Sequence, residues 1–148
     1  MFRPKLFAVG AAVVASAAAA VLPASGALAY ISPPLALLAE AQGPALLVAS
    51  GGAVDVPVEY SCSADEMYIG VQLAQGKQGA VATGSGSTQV ACDGRTHRVL
   101  VRVRADAGSK AFARGSASAT TDVFGCWTKG GKALCGDDSV ERTIKLKK

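Results

Sequence analysis

Residues 53–62 read Ala-Val-Asp-Val-Pro-Val-Glu-Tyr-Ser-Cys. In an extended chain Val54, Val56, Val58, Tyr60 and Cys62 fall on one side, and Asp55, Pro57, Glu59 and Ser61 on the other. Such alternation with a period of two residues marks a half-buried strand. Pro57 has no N–H to give to a ladder, so one side of the strand should be unpaired there, or bulged.

The alternation recurs along the chain. Met67, Ile69, Val71 and Leu73 predict a second strand, Thr88, Val90 and Cys92 a third, and Val99, Val101 and Val103 a fourth. Residues 112–123, rich in Ser, Thr and Ala, read as a weakly patterned strand bulged near Gly115. Val140, Ile144 and Leu146 predict the last. Upstream, Leu35–Glu40 and Leu46–Ala49 flank Gln42-Gly43-Pro44, which suggests a first strand broken by a turn. Glycines punctuate the set at Gly51-Gly52, Gly76–Gly79, Gly84–Gly86, Asp93-Gly94 and Gly130-Gly131. Gly84-Ser85-Gly86-Ser87 in particular reads as a hairpin loop. The chain contains no Asn, so glycine must supply nearly all positive-φ turn positions, and no N-linked glycan site exists. About seven short strands, roughly 8–12 residues apart with turn glycines between them, predict an antiparallel, immunoglobulin-like β-sandwich.

The N-terminus has a different character. Arg3 and Lys5 precede an uncharged run from Leu6 to Leu22, Pro23 breaks it, and Ala27-Leu28-Ala29 supplies a small-x-small cleavage pattern before Tyr30. This predicts a secretion signal over residues 1–29 and a single domain over residues 30–148. The protein is therefore expected outside the cell, with no transmembrane segment once the signal is removed.

Cys62, Cys92, Cys126 and Cys135 all follow that cleavage point. An even count in an exported chain implies two disulfides. Four cysteines allow three connectivities, and the sequential one, Cys62–Cys92 with Cys126–Cys135, is the expected pairing. Spacings of 30, 34 and 9 residues lack the close pairs that a structural zinc site uses. No metal and no cofactor is expected.

Two motifs carry a resemblance. Val58-Glu59-Tyr60-Ser61-Cys62 ends a strand in cysteine, and Cys92-Asp93-Gly94-Arg95-Thr96-His97 follows after a polar hairpin and leads into the valine strand. Residues 53–124 thereby resemble a group of small exported actinomycete proteins of unknown function, themselves predicted to be immunoglobulin-like. The resemblance implies a Cys62–Cys92 bridge, the sandwich fold and an exported location. It implies no activity.

Charge is the most informative remaining feature. Residues 30–94 carry one base against six acids, whereas residues 95–148 carry twelve bases against five acids. The balance over residues 30–148 is only mildly basic, so nucleic acid is not the expected partner. Arg98, Arg102 and Arg104 share one face of a strand and predict a basic ridge, suited to an acidic protein or an anionic envelope component. Trp127, Lys129 and Lys132 lie inside the Cys126–Cys135 loop, a second candidate contact element. His97 is the only histidine, so any His-based chemistry must use it. The simpler reading has Asp93 capping the turn at Gly94 and His97 starting a strand. Asp65-Glu66 and Asp137-Asp138 read as solvated turn residues rather than a facing acid–base pair.

These features predict an exported, non-catalytic binding module. A small secreted protease inhibitor is the alternative, and a neocarzinostatin-like ligand carrier a third reading. An enzyme is not expected, since no strained nucleophile turn such as Gly-x-Ser-x-Gly is present.

Overall fold

A computed structural model describes residues 36–76 and 81–148. The expected signal over residues 1–29 lies outside the described residues. The strands are β1 (Leu37–Ala41), β2 (Ala45–Val48), β3 (Ala53–Cys62), β4 (Glu66–Gln75), β5 (Ala82–Ala91), β6 (His97–Ala105), β7 (Gly115–Lys129) and β8 (Lys132–Lys147).

They do not form an antiparallel immunoglobulin-like sandwich. Seven of them close on themselves in the order β3-β2-β8-β7-β4-β5-β6, and β6 pairs back onto β3 from Ala53↔Arg104 to Tyr60↔His97. The result is a mixed β-barrel, with β1 as an extra strand beside Val58–Cys62. Two short seams make the difference. Ala45↔Leu146 and Leu46↔Lys147 join β2 to β8 in parallel, and Gly84↔Ala105 and Ser85↔Arg104 join β5 to β6. Both seams span only two residue pairs, too few to show in a periodicity.

Local sequence explains each seam. Gln42-Gly43-Pro44, with a cis Gly43–Pro44 bond, separates β1 from β2, so that both lie along β3 while β2 also meets β8. Pro57 faces this break, where its carbonyl accepts the Gln42 N–H at 2.8 Å. At the other seam a Cβ on Gly84 or Gly86 would lie 2.4 or 2.1 Å from the carbonyl oxygen of Arg104 or Arg102. Those two glycines are therefore strand residues that let the β6 backbone approach, not the hairpin loop expected from the sequence.

The core follows the alternation read from the sequence. Val54, Val56, Val58, Met67, Ile69, Val71, Val101 and Val103 are fully buried. Phe112, expected to begin a strand, instead lies in the loop before β7, where it is buried and donates its N–H to Gly51 O at 2.9 Å. Among the described residues Thr121 is the buried polar residue of the core, and its hydroxyl accepts the Ala41 N–H at 3.2 Å, tying β1 to β7. Without Asn, the chain places Ala49 and Ser50 at positive φ beside Gly51.

Both expected disulfides are present, Cys62–Cys92 and Cys126–Cys135. The first joins the end of β3 to the residue after β5, and the second joins directly opposed residues of β7 and β8. Both lie at one end of the barrel, where β3 finishes and β6 begins. At the opposite, open end β4 gives way to β5, β6 to β7, and β8 finishes. Two disulfides fit an oxidising or extracellular environment. Among the described residues no helix is long and apolar enough to cross a membrane.

Candidate functional site

The three arginines of β6 do share its outer face, but two of them face acids across the ladder with β3. Arg102 lies opposite Asp55 and donates Nε and Nη2 to its two carboxylate oxygens, each at 2.7 Å. Arg98 lies opposite Glu59, with a looser contact of 3.7 Å. Only Arg104 of the three has no carboxylate within ion-pair distance among the described residues. Most of the ridge is thus a charge-paired ladder around exposed Leu100.

The pair at Asp55 has a pH signature. The Arg102 hydrogen bonds hold the Asp55 carboxyl below its usual range, and the Asp55 side chain is only 18% exposed. A carboxyl whose folded pKa lies below its unfolded value of about 3.9 contributes stability above that pH. The contribution fades as pH falls through the depressed folded value. Asp55→Asn should therefore melt about 3–6 °C lower at neutral pH, with the gap from the parent protein narrowing as pH falls below the unfolded value of about 3.9. Thermal melts across that range test it, and a gap independent of pH would contradict it.

Asp93 and His97 come together at the disulfide end. His97 Nε2 lies 2.8 Å from both Asp93 carboxylate oxygens, the Arg95 N–H donates to Asp93 Oδ1 at 2.8 Å, and Tyr60 packs at 5.6 Å from the imidazole. The Arg95 N–H, and then His97, keep the Asp93 carboxyl below its usual range. The contacts are those of a turn with an Asx hydrogen bond, closed by Gly94 at φ 76°. The arrangement orients a strand start.

Trp127 opposes Leu134 on an arm formed by the ends of β7 and β8, which turns at Gly130-Gly131. Lys129 Nζ stands 5.4 Å from the Trp127 ring centre, and Lys132 lies opposite Lys129. Asp65 fixes the base of the arm by accepting the Thr128 N–H at 3.1 Å. Among the described residues no cluster of three or more His, Cys, Asp or Glu gathers as a metal site would require.

The strongest concentration of unpaired charge lies elsewhere, at the open end. The segments that build it, residues 45–53, 74–76, 81–84, 103–116 and 143–148, hold Arg104, Lys110, Arg114, Lys145, Lys147 and Lys148 against a single acid, Asp106. Two open clefts of about 510 and 530 Å³ sit there and share Arg114 and Lys148 as walls. Leu47, Ser50, Gly51 and Phe112 line the first, and Gly115, Lys145, Leu146 and Lys147 the second. The strand pattern explains the lysines. Ile144 and Leu146 turn into the core, so Lys145 and Lys147 must point outward. Lys145 Nζ donates to Ser116 Oγ at 2.7 Å, which keeps its charge uncompensated. The disulfide end is opposite in sign. Residues 61–66, 91–97 and 124–139 hold Asp65, Glu66, Asp93, Asp137 and Asp138 against Arg95, Lys129 and Lys132.

The uneven charge of the two halves of the chain was legible, but its destination was not. Arg104 and Arg114 belong to one segment and Lys145, Lys147 and Lys148 to another, and only the barrel topology brings them together. Comparison of the chain with protein-family models, with curated proteins and with solved structures finds no match.

Proposed function

We propose that the protein works outside the cytoplasm as a non-catalytic binding module that attaches through its open, basic end to an anionic polymer of the cell envelope. The observation that carries this reading is that Arg114, Lys145, Lys147 and Lys148 line two adjoining clefts that no acid lines, at an end whose segments hold six cations against one acid. A partner with closely repeated phosphate or carboxylate groups would complement such an end, and Arg114 supplies a guanidinium fork for bidentate contact. Two disulfides, the signal-like N-terminal pattern and the resemblance carried by Cys92-Asp93-Gly94-Arg95-Thr96-His97 support an exported location.

Inorganic polyphosphate is a suitable probe. Its affinity for the protein should fall steeply with added salt, as it does when a polyanion releases counterions on binding. The variant Arg114→Ser/Lys145→Ser/Lys147→Ser/Lys148→Ser should bind about 100-fold more weakly. A control with Arg95→Ser/Arg98→Ser/Lys129→Ser/Lys132→Ser removes as many cations from the other end and should change affinity less than about threefold. Equal losses in the two variants would show attraction by net charge alone and defeat the proposal.

A further inference from the structure

The face formed by β5, β4, β7 and β8 has a chemistry unlike the basic end. On it Tyr68 and Phe124 stand directly opposite one another across β4 and β7, 48% and 49% exposed. In the next row Gly70 has Ser87 on one side and Asp122 on the other, with Ser139 beyond. A Cβ on Gly70 would meet nothing closer than a backbone oxygen at 3.8 Å, so the floor beside the two rings is low and open. Asp122 is held in place, since Gln72 Nε2 donates to one carboxylate oxygen at 3.2 Å and Ser139 Oγ to the other at 2.7 Å. Glu141 in the following row accepts from Ser118 Oγ at 2.8 Å.

From this arrangement we infer a second binding surface, for a neutral polysaccharide chain. Charge narrows the partner first. Among the described residues Glu66, Asp122, Asp137 and Glu141 point outward here, against Lys145 and Lys147 at the margin by the open end, so the middle of the face repels a polyanion. Two adjacent half-exposed rings favour a partner with flat apolar C–H faces. Fixed carboxylates, a primary amide and a row of hydroxyls favour one dense in hydroxyl groups, which donate charge-assisted hydrogen bonds to Asp122 and Glu141. Sugar rings join both properties in one unit. Strands about 4.8 Å apart present these groups as parallel rows rather than a pit, which suits an extended chain.

This surface is independent of the basic end, and the test separates the two. In about 1 M salt the screening length is roughly 3 Å, so polyanion attachment is suppressed while contacts to neutral sugar persist. Under those conditions the disulfide-intact protein is titrated with cellohexaose, chitohexaose and maltohexaose, following NMR signals of Tyr68 and Phe124. At least one should bind, with affinity little changed by salt. Tyr68→Ala/Phe124→Ala should weaken it roughly tenfold or more. Gly70→Ile, which raises a strand-compatible side chain from the open floor, should block it while leaving the fold and polyphosphate binding intact. If none of the three sugars binds, or if binding is unchanged in Gly70→Ile, the inference is wrong.

Discussion

Cys62→Ala/Cys92→Ala should lower the stability of the protein by about 3–4 kcal/mol, the loop-closure value for a bridge spanning 30 residues. Domains of this size are stable by about 5–15 kcal/mol in total, so much of the margin would go. The position of the bridge adds to the effect. Cys62 is 3% exposed at the end of β3, the one strand that contacts both β1 and β2 on one side and β6 on the other. Losing the bridge frees that end of β3 together with the Asp93–His97 turn. Cys126→Ala/Cys135→Ala should cost about 1 kcal/mol less, because its bridge spans only 9 residues and sits at the base of the arm, at the last β4–β7 pair Glu66↔Cys126. Urea unfolding of the two double variants measures both values, and equal losses would contradict this account.

Gly86→Val should be nearly as damaging, at about 3 kcal/mol or more. Any Cβ at residue 86 would stand 2.1 Å from the Arg102 carbonyl oxygen and 3.1 Å from the Val103 Cα. Those are backbone atoms, so relief requires β6 to move off β5, and β6 is also half of the eight-pair ladder with β3. Ser87→Val, on the outer side of the same strand, should be nearly neutral by comparison. A Gly86→Val protein as stable as Ser87→Val would mean that β5 and β6 do not meet as described.

These two sites show what the sequence exposed and what it hid. β3, β4 and β6 were legible because Val, Ile, Met and Leu occupy every second position and each strand buries one face. β5 was legible only near Val90. Its inward positions before that include Ala82, Gly84 and Gly86, where the neighbouring backbone takes the space of a side chain, so no apolar signal marks the strand. β8 was legible at Ile144 and Leu146, but its first half forms the arm and is exposed on both faces. The barrel itself was hidden for a related reason. Closure depends on where two short seams fall, and alternation reports which face is buried, not which strand lies next to which. The candidate site inherited that limit, since neighbours in sequence along β6 drew attention to three arginines, two of which, Arg98 and Arg102, the adjacent strand pairs with acids.

The placement of both disulfides at one end has a consequence for motion. Covalent links hold the β3 terminus and the base of the arm, whereas the open end is closed by the β2–β8 and β5–β6 seams and by the Phe112 contact with Gly51. Local opening should therefore be graded along the barrel axis, with amide exchange slowest near Cys62 and fastest around Ala45, Gly84 and Leu146. A polyanion laid across Arg114, Lys147 and Lys148 would act there as a reversible staple. It would slow exchange at the open end and leave the cystine end unchanged.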